Sequence, residues 1–307
     1  MSAPSSQHSK QDPRQRRRAT CAFPWACSLV LLVSGLTSTV AARTIFVDNL
    51  RGHDQCDGST VDPIDTLVGP VRTFDRALAL ARQTDTIHLV NTGRPYRGDL
   101  RLFGHRHSGF PTRPFRIRGN GSVISGAKPV PTAAWRSRGN LWWMAPRRKG
   151  HYLLLKDGKP LPRHSLDTDT PASNLLSIPK GHWASWRGRI YYRTDALLDH
   201  GDQNLAIAGD DCGITLYAIR HVVIENLTVR HWRLDGISAP GLCSDVVLRN
   251  VICRENGRAG MTISGTSRIR GEDLELTDNG KHSLLVEGFG VADLKNARLT
   301  PPPTLAP

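Results

Sequence analysis

From about residue 205 to residue 300 this chain repeats itself every 23 or 24 positions, and few folds accommodate that period. Asn226, Asn250, Asp273 and Asn296 superimpose with gaps of 24, 23 and 23. Behind them Leu227, Val251, Leu274 and Ala297 align, then Val229, Cys253, Leu276 and Leu299. A second stripe keeps the same step: Gly213-Ile214-Thr215-Leu216, Gly236-Ile237-Ser238-Ala239, Gly260-Met261-Thr262-Ile263 and Ser283-Leu284-Leu285-Val286. Alternation of apolar residues predicts strands with one buried face. A fixed period in the twenties predicts stacked units, none of which buries its apolar face alone.

Each unit reads strand, polar turn residue, strand, short loop, strand, loop. In one unit these are Val222 to Glu225, Asn226, Leu227 to Arg230, His231 to Asp235, Gly236 to Ala239 and Pro240 to Asp245. No stretch inside the unit has the length or the 3.6 period of a helix. The Leu and Asn framework of a leucine-rich repeat is missing, and a β-sandwich gives no reason for three matching columns. The expectation is an all-β chain folded as a right-handed, single-stranded parallel β-helix, with the aligned asparagines hydrogen-bonded along their column and Asp273 interrupting it.

These columns resemble the pectate-lyase-like β-helix superfamily. The resemblance extends upstream to TIFVDNLRGHDQCDGST and GPVRTFDRALALARQTDTIHLVNTGRPYRGDL, and to PFRIRGNGSVISGA at Pro114 to Ala127. It covers roughly 45–127 and 205–300. It implies a secreted bacterial β-helix repeat protein whose first coils follow a strand, an Asp/Gly loop and an N-terminal capping helix. Relatives of this kind usually carry more coils.

Residues 1–42 read as a secretion signal. Arg14, Arg16, Arg17 and Arg18 form a basic start, Cys21 to Val40 is apolar and small, and Val40-Ala41-Ala42 offers a cleavage site before Arg43. Ser34, Thr37, Ser38 and Thr39 dilute the apolar run below a membrane span. The expected location is secreted or periplasmic, with no stable membrane anchor after cleavage. Of the formal +14, about +10 remains on the mature chain. That charge suits an acidic polysaccharide; no nucleic-acid motif accompanies it. Cys56, Cys212, Cys243 and Cys253 survive cleavage, and their spacing argues for neither a disulfide nor a zinc site. Cys253, aligned with Val229 and Leu276, reads as a buried apolar residue.

The mature chain divides into 43–127 (cap and first coils), an inset at 128–204, coils at 205–300 and a Pro-rich tail at 301–307. The inset holds Trp135, Trp142, Trp143, Trp183 and Trp186 out of 7 tryptophans, with turns at Asp157-Gly158 and Arg187-Gly188. It reads as hairpins, in which large rings either form a small core or stack on sugars. Trp183 and Trp186 are the candidate sugar contacts. At the other end the last coil stops at Leu299-Thr300 with no legible cap. Either the chain is a shortened member, or self-association covers this C-terminal end.

Stacking turns sequence columns into spatial clusters, because equivalent residues of adjacent coils lie about 4.8 Å apart. Just before the Gly-Ile strand the column is Cys212, Asp235, Ala259 and His282. One residue earlier it is Asp211, Leu234, Arg258 and Lys281, and three positions before that Ala208, His231, Glu255 and Asp278. Asp211, Asp235, Arg258, Lys281 and His282 are therefore the candidate catalytic residues, with His231 and Glu255 as substrate contacts. A polysaccharide lyase needs a cation on the uronate carboxylate and a base for the C5 proton. Arg258 is the candidate neutraliser, and Lys281 or His282 the base. No cofactor is certain; bound Ca²⁺ is the alternative neutraliser, with Asp211, Asp235 and Glu255 as its oxygen ligands. A glycoside hydrolase needs two carboxyl groups, and inverting enzymes hold them roughly 6.5–9.5 Å apart. Asp211 and Asp235, one coil apart and slightly offset, are expected at the lower end of that range, and GDDC, DGI and His282 resemble the polygalacturonase pattern in a different order. Cleavage of an acidic polysaccharide by elimination leads this reading. Hydrolysis, or a non-catalytic carbohydrate-binding or degenerate β-helix protein, is the alternative.

Overall fold

The structure is a computed structural model that describes residues 42–166, 169, 171–194 and 204–306. The segment read as a secretion signal lies, but for Ala42, outside the described residues. Among those described, no helix is long and apolar enough to cross a membrane.

The chain opens with β1 (Thr44–Val47), α1 (Phe74–Leu80), β2 (Thr86–Leu89), β3 (Leu100–Phe103) and β4 (Phe115–Ser125). The repeat supplies β13 (Cys212–Tyr217), β14 (Arg220–Arg230), β15 (Asp235–Gly241), β16 (Ser244–Arg254), β17 (Ala259–Ile263), β18 (Arg268–Thr277), β19 (His282–Glu287), β20 (Val291–Lys295), β21 (Arg298–Leu299) and β22 (Thr304–Ala306). Between them lie β5 (Ala127–Pro129), β6 (Arg136–Arg138), β7 (Leu141–Met144), β8 (Leu154–Lys156), β9 (Lys159–Pro160), β10 (Trp183–Trp186), β11 (Arg189–Arg193) and β12 (Leu205–Ala208).

Two parallel sheets carry the repeat. One runs β1-β2-β4-β14-β16-β18-β20, with β21 also on β18, and the other β3-β13-β15-β17-β19-β22. Successive strands alternate between the sheets, so each 23- or 24-residue unit adds one strand to both. The register matches the sequence columns: Leu227, Val251 and Leu274 are partners, as are Ile214, Ile237, Met261 and Leu284. These residues fill one continuous core, and each fully buried Leu, Ile or Val contributes about 1.5–3 kcal/mol. Cys253 lies in it fully buried, which pushes its thiol far above the ordinary range. All four described cysteines are free. Helix α1 has Thr73 as its N-cap and buries Phe74, Ala77 and Leu78 in the same core.

The asparagine column stands, with a break in it. Asn226, Asn250, Asp273 and Asn296 all have positive φ, 47° to 57°, a conformation that Asn and Asp tolerate better than other side chains. Asn250 donates to Asn226 Oδ1 at 2.8 Å and Asn296 to Asp273 Oδ1. Asp273 has no N–H to offer, so the four residues bond as two pairs. A second, interior column escaped the sequence reading. Asn256 donates to Asn279 Oδ1 at 3.0 Å, and the Trp232 amide donates to Asn256 Oδ1 at 3.1 Å. Trp232 occupies the position in the preceding coil and hides this ladder.

On the outer face one register line reads Arg118, Glu225, Arg249, Glu272, Lys295. Its signs alternate, and the partners meet: Arg118 to Glu225 at 3.1 Å and Arg249 to Glu272 at 2.8 Å.

The expectation that the coil stops at Leu299-Thr300 needs correction. Thr304–Ala306 pair with Leu285–Glu287 as β22. The spacing is shorter than in the earlier units, so the period did not reveal the strand. The inset forms two antiparallel sheets, β10-β11-β7-β6 and β5-β12-β8-β9, with β12 belonging to the second. Asp157-Gly158 and Arg187-Gly188 turn its hairpins, all four with positive φ.

Candidate active site

The column that opens the second sheet is in direct register: Cys212, Asp235, Ala259 and His282 are consecutive partners. One residue earlier, the amides of Leu234, Arg258 and Lys281 donate to the carbonyls of Asp211, Leu234 and Arg258 at 2.8, 2.9 and 2.9 Å. The structure thus brings Asp211, Asp235, Arg258, Lys281 and His282 to one edge, as the spacing required.

Their partners change their roles. Asp235 is fully buried, and Arg258 grips it with both branches, Nε to Oδ1 at 2.8 Å and Nη2 to Oδ2 at 2.5 Å. These bonds raise the Arg258 pKa. Asp211 accepts from Arg233 at 2.6 and 2.8 Å and pairs with Arg148. Burial pushes the Asp211 carboxyl up, but the hydrogen bonds from Arg148 and Arg233 outweigh it and hold the group below the ordinary carboxylate range. Asp211 is thereby held ionised, and Asp235 is enclosed against Arg258. Arg258 is committed to Asp235 rather than free for a substrate carboxylate. His282 Nδ1 meets Thr304 Oγ1 at 2.8 Å.

His231 and Glu255 form a separate cluster. They sit at a turn where His231, Glu255 and Asp278 share positive φ and backbone bonds. His231 donates from Nε2 to Glu255 Oε2 at 2.9 Å, and its Nδ1 lies 3.2 Å from Ser125 Oγ. Burial holds the imidazole below its ordinary pKa, so Nδ1 accepts from the serine. The bond from His231 in turn keeps Glu255 ionised. No hydrogen bond or ion pair among the described residues joins this cluster to Asp211 or Asp235.

The proposed calcium ligands therefore do not converge. Asp211 and Asp235 already face guanidinium groups, and Glu255 faces His231. Among the described residues no three His, Cys, Asp or Glu side chains are grouped to hold a metal. Trp183 is also corrected as a sugar contact. It is 1% exposed, donates to the Leu161 carbonyl at 3.0 Å and packs within the inset core. Trp186 is half-buried, with the Arg187 guanidinium 4.4 Å over its ring.

The structure adds His151 to this edge. The loop from Pro146 to Tyr152 crosses the coils there. Arg233 Nη1 donates to the carbonyls of Lys149 and Gly150 at 2.8 and 3.3 Å. Gly257 lets the loop approach: a Cβ on it would lie 2.3 Å from the His151 oxygen and 2.4 Å from that of Arg233. His151 itself is held at φ 50°. Its imidazole is half-buried, and that burial, with the charges of Lys281, Arg258 and Arg233, outweighs a backbone hydrogen bond with Gly257 and lowers its pKa. The result is a neutral ring at neutral pH inside a cluster of cations, which is the state a general base requires. The basic run Arg147-Arg148-Lys149 before His151 was the available signal. No column pointed to it, because the loop reaches the edge through tertiary contact.

No family model and no curated protein matches this chain. Solved structures do. The complex of XylC with xylose aligns over 82% of this chain and 58% of its own, at TM-score 0.53 and 11% identity. A structure described as a glycoside hydrolase aligns over 81% and 68%, at TM-score 0.57 and 13% identity. Pectate lyase Pel9A aligns over 84% and 63% at TM-score 0.34, too low to carry an argument. The first two likenesses show a shared fold. This chain spans less than two thirds of the XylC chain.

Proposed function

We propose that this chain is a right-handed parallel β-helix protein, capped by α1, which leaves the cytoplasm and cleaves an acidic, uronate-containing polysaccharide by β-elimination. The observation that carries the reading is the His151 loop, packed on Gly257 and held by Arg233 at the edge that carries Arg258 and Lys281. Lys281 neutralises the uronate carboxylate, which acidifies the C5 proton. His151 takes that proton, the C5–H pair forms the C4=C5 double bond, and the C4–O bond breaks with its pair on the glycosidic oxygen, which takes a proton from water. Arg258 and Arg233 keep the base unprotonated and hold Asp235 and Asp211 as fixed counter-charges. The XylC and glycoside hydrolase neighbours support a carbohydrate as the substrate class. Arginine pairing of both carboxylates weighs against hydrolysis through Asp211 and Asp235.

The test is incubation of the chain from Arg43 with pectate, alginate and glycosaminoglycans, following ultraviolet absorbance. New unsaturated ends that vanish in His151→Ala are expected. Reducing ends without that absorbance would establish hydrolysis instead, and binding without product a non-catalytic role.

A further inference from the structure

We infer that the cavity between the two inset sheets is a subsite for a terminal carboxylate-bearing sugar, with Arg147 as its anion ligand. The inference rests on the elimination reading for its choice of sugar, and on separate residues for its chemistry. The cavity measures about 440 Å³, within the roughly 300–1,000 Å³ of small-molecule sites. Its walls include Val130, Met144, Ile190 and Ile207, which offer a ring an apolar face and no hydrogen bond.

The charged lining is mostly cationic. Lys128, Arg147, Arg148 and Arg233 line the cavity, against one carboxylate, Asp210. Three of these cations are occupied: Lys128 by Asp210 at 2.6 Å, and Arg148 and Arg233 by Asp211. Arg147 is exposed and has no hydrogen-bond or ion-pair partner among the described residues. A guanidinium left open beside an apolar hollow selects a carboxylate, which it can bind through two parallel N–H donors. Arg148 and Arg233 line the cavity and also bracket Asp211 at the edge where His151 sits. A chain end seated in the cavity would therefore lead directly to the proposed reacting bond. The substrate class that follows is the end of a short acidic oligosaccharide.

The experiment is titration calorimetry with a uronate disaccharide and with the same disaccharide after reduction of its carboxyls to alcohols. It is run on the His151→Ala chain so that the probe is not consumed. Arg147→Glu should weaken uronate binding at least tenfold, and the reduced disaccharide should bind at least tenfold more weakly than its acid. Ala134→Trp, at an exposed lining position, should block the cavity without disturbing the core. Unchanged affinity in Arg147→Glu and Ala134→Trp, equal binding of the reduced sugar, or no binding at all would overturn the inference. Arg147-dependent binding without any unsaturated product from the unaltered chain would overturn the elimination reading alone. Product formation with binding indifferent to Arg147 would overturn the subsite alone.

Discussion

Two lines of charge run across the coils, and they are built to opposite ends. On the outer face Arg118, Glu225, Arg249, Glu272 and Lys295 alternate in sign, so each cation finds an acid in the next coil. Both ion pairs there leave the arginine about half exposed, 50% and 46%. At the edge of the second sheet the order is Asp211, Leu234, Arg258, Lys281, and the buried Asp235 is consumed by Arg258. What remains is an excess of cations over acids, with Lys281 in no ion pair among the described residues, and the inset loop brings His151 to it. The same stacking rule produces a self-neutralising surface in one place and an electrostatic field in the other. The difference lies in whether the acids keep pace with the bases along the column.

The comparison breaks most sharply at His151. Its replacement by Ala should reduce turnover by about 10²–10⁴-fold, the usual worth of a general base, with the thermal unfolding midpoint nearly unchanged. Unaltered turnover in the assay for unsaturated ends would remove the edge from the mechanism. Arg258→Ala comes next, since it strands Asp235 in the interior. A loss of about 3–5 kcal/mol in a denaturant titration is expected, against about 0–1 kcal/mol for Arg118→Ala on the outer line. Equal costs would show that the two lines are not different in kind.

Lys281→Gln sharpens the comparison further. A nearby cation disfavours protonated His151, so removing it raises the imidazole pKa. Turnover should fall, because the uronate carboxylate loses its cation, and the acidic limb of the residual kcat/KM profile should move to higher pH. The smallest effect belongs to Glu225→Gln. It removes one exposed pair and should change stability by about 0.2–1 kcal/mol, less at high salt.

The parts of this molecule legible in its sequence are those that repeat. Asn226, Asn250, Asp273 and Asn296 announced the turns, and the columns through Arg258 and Lys281 gave the edge with its register. Most of what escaped notice lay outside the period. Arg148 and His151 come from a loop whose position depends on Gly257 and on Arg233 gripping two carbonyls. Arg233 itself sits one residue from a column and bonds sideways to Asp211. The ladder of Asn256 and Asn279 was masked by Trp232, a residue of different shape in the same slot. Trp183 was misplaced for an energetic reason: a small hairpin module keeps its largest rings for itself.

The sign alternation on the outer line has a consequence for how such a molecule can change length. Remove the single coil that carries Glu225, and Arg118 comes to rest beside Arg249. Insert one extra copy of it, and two glutamates become neighbours. Like charges directly opposite each other destabilise a sheet, so duplications or losses of two coils at a time leave this surface intact, while a change of one leaves a scar that a later substitution must repair.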